Sequence, residues 1–409
     1  MPIEVRYAKP EELPELAMTM LTPFGMPFVP ERLARSRDVA ELEKRIGAYE
    51  DSRPVGAMGS FSFTLGVPGP RGAGAVPVAT AGLTMVGVLP THRRRGVLTS
   101  MMRLYLDDLR REGRPLSALW ATEGVIYGRY GYGVATLASS VEVDRDRSTF
   151  LSAATSRAEV RIVSEDEALT SFPAIWDEAR QQRPGMLSRS PSWWRHRRIA
   201  DADWERAGRA SLQRVRLTED GRPTGYALYR QVGHVDHGIF GGSVELKEAV
   251  TTSPSATRAL WRYLLDFDLV SRIKADILPA DHPLLLLASE PQRLRMRVGD
   301  GLYVRILDVA AALSARGYGA GPKIVLALTD AFYPDNDGHY CLEDGKARRT
   351  DARADLALDV PALSSAYLGG FSFCQLAAAG RVTELRAGAL IEADTLFRSA
   401  LAPWSPEVF

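Results

Sequence analysis

The chain has 409 residues, more than a single hydrophobic core ordinarily organises, so it must divide into two or three domains. Hydrophobic residues make up 45% and charged residues 25%, and no apolar run approaches the roughly twenty residues that span a bilayer, which excludes membrane-spanning and disordered classes. Fifty-one basic residues face 50 acidic ones, so the net charge of +1 excludes a global attraction for nucleic acid or acidic membranes, and any phosphate site must be local.

In chain order, residues 3–8 read as a strand, and Pro10-Glu11-Glu12 suits a helix start, with proline in the first turn and acids at the positive dipole end. Ala57–Leu65 and Val78–Val88 read as two strands around the turn-rich segment 66–72. Leu98, Met101, Met102, Tyr105 and Leu109 recur at three- and four-residue steps, which predicts an amphipathic helix over Val97–Glu112 ended by Gly113. Leu116–Ala121 follows as a strand. This strand, basic turn, helix, strand order is the crossover that sets two parallel strands side by side, and a ligand site is expected at its turn.

A second α+β block begins near residue 146. Leu212–Leu217 and Gly225–Arg230 flank the turn Glu219-Asp220-Gly221-Arg222, and Val244–Val250 leads to a helix over 254–269 and a strand over 274–278. The equivalent turn there, Thr251-Thr252-Ser253-Pro254-Ser255, lacks basic residues and glycine, so this block reads as a site-less relative of the first. From about Gly301 a last block contains strands at 324–328, 339–342 and 355–360 and a helix starting at Pro361. Its Asp335-Asn336-Asp337-Gly338 reads as a hairpin turn, because the twelfth position of an EF-hand counted from Asp335 is Lys346 rather than glutamate. Two cysteines, Cys341 and Cys374, are too few for a disulfide framework, a four-cysteine zinc site or an iron–sulfur cluster, and no metal is expected. The amino-terminal segment lacks the apolar stretch of a signal peptide, so the expected location is the cytoplasm, with secretion by a signal-less route left open.

The segment Val86-Gly87-Val88-Leu89-Pro90-Thr91-His92-Arg93-Arg94-Arg95-Gly96-Val97-Leu98 carries the most chemistry. A strand feeds a glycine-bearing turn that opens a helix, so unpaired backbone N–H groups, a positive helix end and three arginines converge. On these residues alone, an anion site and a solvated basic turn both stand. Neither the P-loop pattern nor the dinucleotide-binding glycine pattern occurs at this turn. Trp193-Trp194-Arg195-His196-Arg197-Arg198 reads as a helix with buried tryptophan and a solvated basic edge, so no nucleic-acid surface is expected. In Glu123-Gly124-Val125-Ile126-Tyr127-Gly128-Arg129-Tyr130-Gly131-Tyr132-Gly133, the tyrosines read as packing residues. A phenol is nevertheless a suitable general acid for a thiolate leaving group, since their intrinsic pKa values are close.

Arg93-Arg94-Arg95-Gly96-Val97-Leu98 resembles the Arg/Gln-x-x-Gly-x-Gly/Ala coenzyme A signature of the GNAT N-acetyltransferases, with Leu98 departing at the last position. The longer strings 88–96 and 121–133 resemble the enhanced intracellular survival acetyltransferases, a GNAT subgroup. Ala354–Val360, Tyr367–Gly370 and the ending Pro403–Phe409 are similar to the sterol-carrier-like domain that closes those proteins. The resemblance implies an α+β (α/β) chain of two tandem GNAT-like domains and a sterol-carrier-protein-like domain, with boundaries expected at 1–145, 146–300 and 301–409. It implies an acetyl-coenzyme A-dependent N-acetyltransferase acting on a primary amine, such as the amines of an aminoglycoside or a lysine side chain. Val86, Gly87 and Val88 would then meet the pantetheine arm, Arg94, Arg95, Gly96, Val97, Leu98 and Thr99 the pyrophosphate, and Thr122 and Glu123 the arm further along. Tyr127 would be the general acid and the carboxylate of Phe409, as terminal residue, the general base. Phe24, Phe28, Met85, Trp404 and Glu407 are expected around the amine. A homohexamer, no nucleic acid and no membrane are the implied partners. The rival reading is a non-catalytic lipid- or sterol-binding protein that uses the last domain.

Overall fold

Three sheets organise the residues that the computed structural model describes, which are 3–70, 73–145, 150, 158–206 and 208–409. They divide between two units: one from residues 1–136, 301–400 and 407–409, the other from 137–300 and 401–406.

The first unit's larger sheet runs β1 (Glu4–Tyr7), β2 (Ile46–Glu50), β3 (Arg53–Pro68), β4 (Ala75–Val88), β5 (Leu116–Trp120), the strand Leu302–Ile306, then β6 (Gly133–Val134). β3 and β4 are longer than the sequence predicts because they stay paired out to Pro68↔Ala75, through glycines and prolines that read as turn residues. α1 (Leu13–Leu21) and α2 (Pro30–Arg37) follow β1, and α3 (Val97–Arg111) crosses from β4 to the parallel β5. Of the predicted apolar stripe of α3, Met101, Met102, Tyr105 and Leu109 are buried against Ile46, Ala48, Met58, Ala81, Leu83 and Leu119 and Leu98 is partly buried beside them, while Val97, outside the predicted set, joins the buried face. α1 packs through Leu16 and Met20 on Ala57 and Met85. Because successive strand residues face opposite sides, Ala81 and Leu83 of β4 belong to the α3 face and Gly82 to the α1 face.

The same unit holds a five-stranded sheet in the order Lys346–Arg349, Gly338–Glu343, Ile324–Thr329, Leu356–Asp359, Val382–Glu384. The segment 335–338 lies where the hairpin reading expects it, between two antiparallel strands, with the Asp337 carboxylate accepting the Asp330 N–H at 2.6 Å. Asp359 ends its strand and caps the helix Val360–Tyr367 by accepting the Ala362 N–H at 2.8 Å, so this helix starts one residue before Pro361.

The second unit's sheet runs Arg297–Asp300, Leu137–Asp144, Arg272–Pro279, Ile239–Thr251, Arg222–Asp236, Gln213–Glu219, Glu159–Ile162. Asp220 and Gly221 both have positive φ, 49° and 79°, as a two-residue hairpin turn matching strand twist requires. The crossover helix Pro254–Leu265 stops short of the predicted 269, where Leu269 takes φ 62°, outside helical geometry. The helix Glu165–Gln182 starts with a reciprocal capping box between Ser164 and Glu167 and buries Phe172, Ile175 and Trp176. Under it lies a buried ion pair: Arg189 stacks 3.4 Å from the Trp176 ring and meets both Glu248 carboxylate oxygens, at 2.9 and 2.5 Å. The Tyr226 hydroxyl donates to the same carboxylate at 2.5 Å. Burial alone would raise the Glu248 pKa, but the guanidiniums of Arg189 and Arg198 outweigh it and hold the group below the usual carboxylate range. Glu248→Ala leaves two cations without their shared anion, so a loss of about 3–5 kcal/mol is expected. Urea unfolding of the variant measures it, and an unchanged midpoint would contradict the assignment.

Candidate active site

The parallel pairing of β4 with β5 covers only Thr80↔Leu116, Ala81↔Ser117 and Gly82↔Ala118. Beyond it, Leu119 and Trp120 of β5 pair with Tyr303 and Leu302, while β4 keeps its ladder with β3. The two strands therefore part, and a wedge opens between their carboxyl ends. A register shift in β4 around Met85, whose φ is 52°, bends the strand within this stretch. The Leu89 N–H donates to the Val55 carbonyl at 2.9 Å, so by alternation the peptide groups of Val88 face the wedge and those of Gly87 face β3. Val86 sits in the bulge itself. On its other face Gly87 is covered by α1 and the turn after it: a Cβ there would lie 3.2 Å from the Met20 carbonyl and from Pro23.

The wedge leads to the start of α3. Gly96 is the N-cap, with φ 80° and no side-chain cap, and Ser100 is the first amide bonded within the helix, to the Gly96 carbonyl at 3.0 Å. The N–H groups of Val97, Leu98 and Thr99 are left for an external acceptor. A Cβ on Gly96 would meet nothing within 4 Å, so the space in front of these amides is open. Arg93, Arg94 and Arg95 are exposed around it. Arg95 is held by Glu50 at 2.6 Å, and His92 Nε2 lies 2.9 Å from the same carboxylate. Hydrogen bonds from His92 and Arg95 lower the Glu50 pKa to about 2. The sequence reading missed this brace, because Glu50 stands 45 positions before Arg95 and comes near only through the end of β2. An uncapped helix end facing open space, continuous with an unpaired strand edge, fits a pyrophosphate with an extended arm.

The second unit shows what closes such a site. At the start of Pro254–Leu265, Ser253 accepts the Ala256 N–H at 3.0 Å and donates to the Glu219 carboxylate at 2.5 Å. Hydrogen bonds from Ser253 and Ser255 hold Glu219 below the usual carboxylate range. The chain's own hydroxyl and carboxylate occupy the place of an external anion, so this crossover is self-satisfied.

Past β5, Thr122 and Glu123 are exposed and Glu123 is the N-cap of α4 (Gly124–Tyr127). Tyr127 ends α4, half-buried, its ring edge-on to Tyr132 at 6.0 Å. Burial pushes its pKa up to about 12, so the phenol is protonated across the neutral range. Tyr130 is buried and lies 3.2 Å from the Thr99 hydroxyl, which ties this turn to α3. Tyr132 and Tyr105 share the Ser117 hydroxyl at 2.7 and 3.0 Å. Of the other predicted residues, Phe409 packs on β3 and β4: its ring lies 5.2 Å from Phe63, and a Cβ on Gly82 would lie 2.8 Å from it. It therefore covers, on the α1 face, the last residue of the parallel pairing. Met85 lies in the α1 cluster, Phe24 and Phe28 are exposed on the segment between α1 and α2, and Glu407 is buried. Trp404 is a correction: its side chain is buried in the second unit's core with Trp176 and Tyr226, and its backbone N–H donates to the Pro184 carbonyl at 2.9 Å, so its ring is core rather than site lining.

Residues 4–135 and 185–306 each match an acetyltransferase (GNAT) domain family, and residues 309–406 match the sterol carrier protein domain family. The chain is 41% identical over 419 residues to an uncharacterised N-acetyltransferase of Streptomyces coelicolor, covering 100% of both. It is 36% identical over 367 residues to the N-acetyltransferase Eis of Mycobacterium bovis, covering 87% of this chain and 86% of that one. The crystal structure of Eis1 from Mycobacterium abscessus superimposes with a TM-score of 0.83 at 30% identity and covers 100% of both chains. With two GNAT domains followed in sequence by a sterol-carrier-like domain, and with 36% identity over 87% of its length to an Eis enzyme, the chain belongs to the Eis-type N-acetyltransferases of the GNAT superfamily.

Proposed function

We propose that the acetyl group of acetyl-coenzyme A passes directly to a primary amine in the wedge between β4 and β5, the acceptor being an aminoglycoside amine or a lysine side chain. The observation that carries this reading is the end of parallel pairing at Gly82↔Ala118, which leaves a strand edge open in line with the uncapped start of α3. The cosubstrate supplies the acetyl group as a thioester. The amides of Val97, Leu98 and Thr99, with Arg94 and Arg95 at the rim, hold the pyrophosphate, and the edge of β4 from Val86 to Val88 holds the arm by strand-like hydrogen bonds. Gly87 acts by allowing the close approach of the turn at Pro23, and Thr122 and Glu123 line the outer arm.

Tyr127 protonates the departing thiolate. A phenol held near 12 remains a donor wherever the amine acceptor is reactive. The Phe409 carboxylate takes the proton that an ammonium must lose before its nitrogen attacks, directly or through water; the anchoring of its ring over Gly82 supports that placement. The amine enters from the α1 face, past Met85 and the exposed Phe24 and Phe28.

A coenzyme A release assay with aminoglycosides, polyamines, lysine peptides and simple amines tests the reading, and release with none of them would count against amine transfer. Gly96→Glu brings a carboxylate into the open space before α3, and calorimetry is expected to show coenzyme A binding lost. Tyr127→Phe is expected to bind coenzyme A as before while turnover falls about 100-fold or more, in the range of general-acid contributions. Extending the chain beyond Phe409 by a short peptide removes the carboxylate from its place; a fully active extended enzyme would take that group out of the mechanism.

A further inference from the structure

The loop 330–336, between the strands Ile324–Thr329 and Gly338–Glu343 of the sterol-carrier-like domain, reaches three parts of the acetyltransferase core at once. Its first contact is with α3. Arg103, Asp107 and Arg110, spaced four and three residues apart, share one face of that helix. Arg103 donates to the Phe332 carbonyl at 3.0 Å with its guanidinium 3.9 Å from the Phe332 ring centre. The Tyr333 hydroxyl donates to Asp107 at 2.5 Å, and Arg110 lies over the Tyr333 ring at 4.5 Å.

The second contact is with the turn that carries Tyr127. Phe332 meets the buried Tyr130 ring edge-on, with centroids 5.3 Å apart, and Tyr130 in turn touches Thr99 in the first turn of α3. The third contact fixes the loop itself. Asp330, buried, accepts the N–H groups of Phe332 and Tyr333 at 3.2 and 3.1 Å, the Asn336 amide at 2.9 Å and the Arg305 guanidinium at 2.6 Å. Arg305 comes from the strand between β5 and β6 and is fully buried beneath Gly131, where a Cβ would lie 2.1 Å from its nitrogen. Gly131 has φ 88°, so this position excludes a side chain on two counts, conformation and space.

We propose that the loop 330–336 is a positioning clamp: through Phe332, Tyr333 and the Arg305–Asp330 pair it fixes the turn bearing Tyr127 relative to the first turn of α3. The sterol-carrier-like domain thereby sets the distance between the pyrophosphate end of the site and its acid. This rests on the assignment of Tyr127 as the acid. None of the clamp residues is assigned a contact with substrate; they act through Tyr130 and α3.

Hydrogen exchange on the full chain bound to coenzyme A tests the geometry without an acceptor. In Phe332→Ala, which removes the ring between Arg103 and Tyr130, amides of 124–132 are expected to exchange faster while those of the second unit stay as in the parent protein. Tyr333→Phe, which removes only a hydroxyl, is expected to show the same change more weakly and serves if Phe332→Ala fails to fold. Unchanged exchange at 124–132 would overturn the clamp. With the fastest amine of the panel above, Phe332→Ala should lower kcat by up to about 100-fold, the scale of a misplaced reacting group, and leave the coenzyme A Kd within about threefold. Phe332→Tyr should restore activity. In a Tyr127→Phe background, Phe332→Ala should cost little more, because the group it positions is already gone. A full multiplicative loss in that background would overturn the clamp and leave the acid in place, whereas unaltered turnover in Tyr127→Phe alone would overturn both.

Discussion

The site depends on how far two parallel strands stay together. β4 and β5 share three register positions and then part, while each keeps the neighbour on its other edge, β3 for β4 and the strand Leu302–Ile306 for β5. An unpaired strand edge is ordinarily a liability, since each exposed amide and carbonyl seeks a partner. Here it lies in a cleft whose far end is the uncapped start of α3, and the proposed function gives that unpaired backbone the cosubstrate arm as its partner. The bulge at Met85 and the glycine at 87 follow from it, because the strand must bend away from β5 while α1 and Pro23 close over its other face.

The second unit makes the same crossover and shows the alternative outcome. Its helix start has serine where α3 has glycine, and Ser253 with Glu219 answers the amides and the helix dipole from within the chain. One residue type at the N-cap thus separates a helix start without a side-chain acceptor from one that has it. The glycine forgoes the side-chain cap at a cost of only about a few tenths of a kcal/mol and leaves those amides open to another partner.

Much of this was legible in the sequence because it is local. The α3 stripe from Leu98 to Leu109 follows helical period, Asp220-Gly221 demands its hairpin turn, and the glycine before Val97 marks a helix start without a side-chain cap. The strings 88–96 and 121–133 carried the family resemblance on their own. Less legible were the ends of β3 and β4, where pairing carries glycine and proline that otherwise signal turns. Trp404 is expected around the amine by its position, whereas its ring belongs to the core beside Trp176, a pairing that no local pattern signals.

The sequence by itself determined the element types, the crossover with its basic turn and the absence of a matching turn in the second unit, since each rests on residues within a few turns of one another. Only the tertiary structure decided which distant residues meet there. Glu50 braces Arg95, the Phe409 ring settles over Gly82, and the strand 302–306 joins the first sheet rather than opening a separate last domain. The loop 330–336 reaches α3 and Tyr130 across more than two hundred positions of chain. Such pairings are fixed by register, burial and the satisfaction of polar groups across the whole unit, and no local pattern in the sequence encodes them.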